Sequence, residues 1–173
     1  MKSTAKRPTI NKTMLRRVRQ AIDHHREQFD YFRLAAKEVS DDFASCDVDV
    51  PPTDLLHDCN TAGCIAGWTL ALAGEDKLDG FVVMQRASEL LGFRFCDGMF
   101  TPFLFFARAY PDLQRDMARI GLDISAFHDL GYTTQSLKEC PAEEALRRLD
   151  FLIAHCDHDE ERFGPEQDPP ALD

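Results

Sequence analysis

The stretch PAEEALRRLDFLIAHC, residues 141–156, decides the fold class. Ala142, Ala145, Leu146, Leu149, Leu152, Ile153 and Cys156 recur three and four residues apart, so a helix would bury them along one face. Pro141 suits the first helical position, where no backbone N–H is needed. Glu143 and Glu144 sit near the positive end of the helix dipole, and Arg147 and Arg148 lie further along.

The same signals recur upstream. Thr101-Pro102 starts a helix to about Tyr110, and Pro111 restarts one to about Ile120, stopped by Gly121. Ser125 to Leu130 reads as a short helical turn ended by Gly131. Asp79 caps a helix over Gly80–Leu91, closed by Gly92, and Thr61 caps another that runs through Ala73 to Gly74. Near the start, Leu15, Val18, Ile22, His25, Phe29, Phe32, Ala36 and Val39 predict one continuous helix from 14 to about 40. A break near His25–Asp30 is the competing reading, because HHREQ is wholly polar. Residues 40–58 read as loop, and only FVVM and RFCDGMF are short strand candidates. The expected fold is all-α, a single-domain irregular helical bundle of about six to seven helices.

A chain of 173 residues with 44% hydrophobic and 29% charged residues is an ordinary globular chain, long enough to bury a core. Its 13 phenylalanines point to aromatic packing within that core. The net charge of −10 argues against duplex DNA or an anionic membrane as main partner. That charge is uneven. Residues 1–26 carry eight Lys/Arg against Asp23, whereas residues 157–173 carry seven acids against Arg162. The expected organisation is a flexible basic arm over 1–10, a helical domain over 11–156 and an acidic disordered tail over 157–173. MKSTAKRPTI lacks a following apolar segment, which predicts a cytoplasmic protein with reduced thiols.

The chemistry-bearing residues cluster in two places. In CNTAGCIAGW, residues 59–68, Thr61 as N-cap would make Cys64 the third helical residue, among free backbone N–H groups that favour a thiolate. Cys59 and Cys64, with His57 as a third ligand, form a candidate redox pair or half of a zinc site, although their spacing matches neither pattern cleanly. The alternative is a packed helix, in which Cys64, Ile65, Trp68 and Leu72 fill an apolar face while Gly63 and Gly67 admit a close neighbour. In HCDH, His155 and His158 share a helix face if the last helix continues, and could grip one metal ion. His25 lies on the first apolar stripe as a core or boundary residue. The basic arm, from Lys2 to Arg19, could contact nucleic acid but lacks interleaved aromatics. A phosphate loop, a GxSxG elbow and an HExxH motif are all absent from the sequence.

CNTAGCIAGW resembles the Cys-Gly-Thr-x-x-Cys-Ile-Ala-Gly-Trp/His signature of a family of small uncharacterised bacterial and phage proteins. ASELLGFRFCDGMFTP, CPAEEALRRLDFLIA and QAIDHHREQFDYF are similar to other segments of that family, so the likeness covers about half of the chain. Asn60 stands where the family has glycine, and the stretch from Ala36 to Asp58 looks like extra length. Asparagine tolerates positive φ best among non-glycine residues, which predicts a left-handed turn at Asn60. The family has no assigned activity, so the resemblance implies a structural unit at Cys59–Trp68 and carries over no catalytic residue.

These readings converge on a non-enzymatic protein-interaction or regulatory module whose partner is another protein and which needs no cofactor. The alternative is a thiol-redox or zinc protein centred on Cys59 and Cys64. A weaker alternative is nucleic-acid contact through the basic arm.

Overall fold

The computed structural model describes residues 7–29, 51–57, 63–76, 81–93, 103–104, 113–127 and 141–170. Six α-helices and one small sheet lie among them. The chain enters through strand β1 (Thr9–Ile10) and helix α1 (Lys12–His24). The N-cap of α1 is Asn11, whose side-chain oxygen accepts the Met14 N–H at 3.1 Å. Its amide nitrogen donates to the Leu90 carbonyl at 2.8 Å, so one residue caps a helix and ties it to another. The buried face of α1 is Met14, Leu15, Val18, Ala21 and Ile22.

Helix α1 ends at His24, and a 3₁₀ turn over Arg26–Gln28 follows. The expectation of one helix from 14 to about 40 is therefore corrected in favour of the break. A non-local contact replaces the helix: Phe29 forms a bridge with Gly63, whose N–H donates to the Gln28 carbonyl at 2.9 Å. A second 3₁₀ turn spans Pro52–Leu56.

Helices α2 (Ile65–Ala73) and α3 (Phe81–Leu91) come next, then α4 (Leu113–Arg119), a 3₁₀ turn over Ser125–Phe127, and α5 (Pro141–His155). Helix α2 is central. Every residue from Ile65 to Ala71 is buried, and the helix packs on α1, α3 and the Pro52–Leu56 turn. Helix α5 lies along α1 and buries Ala145, Leu149 and Leu152. Around them Leu15, Ile22, Trp68, Leu70, Leu91, Leu104, Met117 and Leu122 complete one continuous core. The fold is all-α apart from a two-stranded sheet.

That sheet overturns the expected tail. Strand β2 (Asp157–His158) pairs in parallel with β1, Thr9 against Asp157 and Ile10 against His158. Asp157 N–H donates to Pro8 O at 2.9 Å, and Asp159 N–H donates to Ile10 O at 3.0 Å. The short helix α6 (Glu160–Phe163) follows, capped by the Asp159 carboxylate. Residues 157–170 thus lie ordered against the N-terminal end of α1, and the basic arm is likewise fixed from Thr9, with Ile10 fully buried. The physical reason is backbone pairing between chain ends, which needs little apolar content from the tail itself.

Candidate functional site

The cysteine element does not converge on a reactive centre among the described residues. Cys64 is the N-cap of α2, in extended geometry at φ −81° and ψ −179°, so the helix starts at Ile65 rather than just after Thr61. The expectation that Thr61 caps this helix is corrected: Gly63 bridges to Phe29 and Cys64 is extended, so the helix begins only after them. Cys59, Asn60 and Thr61 themselves lie outside the described residues. Cys64 is buried, as is Gly67 within α2.

One turn on, Trp68 has no exposed surface and stacks on His25, with centroids 5.4 Å apart and planes 16° from parallel. Among the described residues its Nε1–H meets no hydrogen-bond acceptor. Burial, and then the neighbouring His24, hold the His25 imidazole below the usual histidine range.

The two C-terminal histidines are separated. Helix α5 ends at His155, whose ring stacks on Phe151 at 4.4 Å and whose Nδ1 lies 2.8 Å from the Phe151 carbonyl. His158 belongs to β2. Its Nδ1 accepts the Lys12 N–H at 3.2 Å, and its Nε2 reaches the Gly164 carbonyl at 2.9 Å. Those two partners assign the neutral ring protonated on Nε2. Both nitrogens of His158 are therefore committed to backbone groups, which corrects the reading of His155 and His158 as a shared grip. His57 is exposed and ends the Pro52–Leu56 turn. Among the described residues no group of three His, Cys, Asp or Glu side chains is placed to hold a metal ion. Cys156, one residue past α5, is buried to 1% exposure, and that burial pushes its thiol up to about 12.

Two features that the sequence did not single out are better organised. The first is an aromatic ladder on α5. Phe103, buried, meets Phe127 edge-to-face at 5.2 Å; Phe127 meets Phe151 edge-to-face at 5.2 Å; His155 stacks on the end. Arg147 lies over the Phe127 ring at 4.7 Å. Phe127 and Phe151 are half-buried and His155 is exposed, so the ladder runs from the core to the surface. Behind it the buried Arg148 donates to Glu144 at 2.7 Å and to the Phe103 carbonyl at 2.9 Å, fixing the base of the ladder. The available signal was Arg147, Phe151 and His155 at i, i+4 and i+8 along one helix flank.

The second is the contact of the tail with α1. Glu166 lies 2.6 Å from Arg16 Nη1, as an ion pair rather than an aligned hydrogen bond, and 3.8 Å from Lys12 Nζ. Gln167 N–H donates to Thr13 Oγ1 at 3.0 Å.

The chain matches no protein-family model, no curated protein and no solved structure. No helix among the described residues is long and apolar enough to cross a membrane.

Proposed function

We propose that this protein is a non-enzymatic interaction module that engages a partner protein through the α5 flank formed by Phe127, Arg147, Phe151 and His155. The observation that supports this reading is the ladder's composition and rigidity. Aromatic rings and arginine are the residue types that dominate binding energy at protein interfaces. Here each ring is held by its neighbour at 4.4–5.2 Å, so little side-chain freedom remains to be lost on binding. The outer members are solvent-facing, with the Arg147 side chain 41% exposed.

The test is affinity enrichment from the protein's own cell extract with three full-length baits: wild type, Arg147→Glu/His155→Glu, and Gln85→Lys on the exposed face of α3 as a remote control. Both substitutions in the first variant fall on exposed or half-exposed side chains, so the fold is preserved. The reading expects one protein to be held by wild type and by the control, and at least tenfold less by the α5 variant. Equal recovery on all three baits removes the α5 flank from the account. A substrate turned over by the purified protein, with turnover lost in Cys64→Ala, replaces it with an enzyme.

A further inference from the structure

The C-terminal segment has two mechanically different parts. The first, Asp157 to Phe163, is an anchor: it pairs with β1, and the Phe163 ring closes over the Gly92 backbone. Gly164 then turns the chain at φ 74°, with nothing within 4 Å of where a Cβ would stand, and its carbonyl is held by His158. Beyond this hinge none of residues 164–170 is buried. Their polar contacts with α1 are Glu166 on Arg16 and Lys12, Asp168 on Arg16 at 3.6 Å, and the Gln167 N–H on Thr13 Oγ1. Lys12, Thr13 and Arg16 share one face of α1 by their spacing. That face therefore reads an extended Glu-x-Asp segment through two cations and one backbone bond.

We infer that the Lys12–Thr13–Arg16 face of α1 is a binding site for an extended acidic peptide of a partner protein, occupied in cis by Glu166–Asp168. Charge complementarity selects the occupant. The face carries two cations and a hydroxyl acceptor, and the segment seated on it carries carboxylates with the Gln167 N–H, bonded to Thr13 Oγ1, between them. The cis occupant is readily displaced. Its ion pairs are partly exposed, with the Asp168 side chain 95% exposed, and such pairs hold weakly. Tethering supplies most of its occupancy through effective concentration. A partner presenting more carboxylates in the same spacing displaces it, swinging the segment about Gly164 while the anchor stays. This site is separate from the α5 flank, so either can fail without the other.

The experiment titrates a synthetic peptide of residues 164–173, GPEQDPPALD, into isotope-labelled full-length protein at low salt and follows backbone amide shifts. Three chains are compared: wild type, Glu166→Gln/Asp168→Asn, and the latter with Arg16→Glu added. We expect the neutralised tail to bind the peptide about tenfold more tightly than wild type, with shifts at residues 12–17. The affinity falls with added salt and is lost with Arg16→Glu. Equal affinity for wild type and the neutralised tail overturns the inference, because the face is then not occupied in cis. Shifts elsewhere, binding retained by Arg16→Glu, or no binding to any chain overturn it as well. Concentration-dependent dimerisation of wild type through exchanged tails assigns the face to a second copy and overturns it too.

Discussion

Replacing Gly92 by alanine tests how the two chain ends are locked to α3. Gly92 follows α3 at φ +90°, where a residue with a Cβ costs about 1–2 kcal/mol. The added methyl would stand 2.5 Å from the Asn11 backbone nitrogen, 3.0 Å from Phe163 Cε2 and 3.1 Å from the Ile10 carbonyl carbon. Two of these are backbone atoms and cannot rotate away, so α3 and the β1–α1 junction must separate. Separation weakens the bond from Asn11 N–H to Leu91 O at 2.9 Å and that from Asn11 Nδ2 to Leu90 O at 2.8 Å. Each contributes about 1 kcal/mol, giving a total loss of about 3–4 kcal/mol. Gly74 provides the control. It also has positive φ, +71°, but nothing lies within 4 Å of its would-be Cβ. Gly74→Ala therefore carries only the conformational cost of about 1–2 kcal/mol, and effects on the unfolded chain cancel between the two variants. Urea denaturation of wild type and both variants reads the difference. The reasoning is refuted if the two variants differ by less than about 0.5 kcal/mol, within ordinary scatter.

Three further outcomes follow from the structure. Asn11→Ala removes the cap on Met14 and the bond to Leu90, lowering stability by about 2 kcal/mol in chemical denaturation, whereas Asn11→Asp keeps the cap and loses less. Arg148→Met leaves the half-buried Glu144 without its main partner and costs about 3 kcal/mol, and adding Glu144→Leu recovers part of that loss in a double-mutant cycle. Cys156, raised from 9.0 to about 12, stays protonated in the fold after an unfolded chain would have ionised. Its contribution is therefore complete below pH 9 and is lost between pH 9 and about 12, at about 1.4 kcal/mol per pH unit. Cys156→Ala should flatten that slope, and iodoacetamide at pH 9 should label Cys156 only as fast as the protein unfolds.

Helices α3, α4 and α5 were legible because period, proline starts and glycine stops all act within a few residues. Gly74, Gly92 and Gly121 close their helices with positive φ, where the chain must leave the helical path. The misreadings share a cause in contacts far apart along the chain. The apolar stripe of α1 continues in spacing past His24, yet the Gln28 carbonyl is taken by Gly63 N–H, and sheet-like pairing wins over the helix. The same pairing delays the start of α2 to Ile65. The tail carries too little apolar area to order itself, but β1 supplies its backbone partners and Lys12, Thr13 and Arg16 supply its side-chain partners. In the site, His155 and His158 looked like a pair because the helix was extended past Cys156; the strand that replaces it turns His158 onto Lys12 N–H and Gly164 O. Opposite charges at the two termini were visible, but not that each neutralises the other.

The most direct test of the interaction reading is native mass spectrometry of the full-length protein drawn gently from its own cells, wild type beside Arg147→Glu/His155→Glu. The account predicts a complex with one protein partner in the wild-type spectrum, and the free chain mass in the variant, with the same thermal stability for both. A free chain in both spectra, or a complex that survives the double substitution, contradicts it.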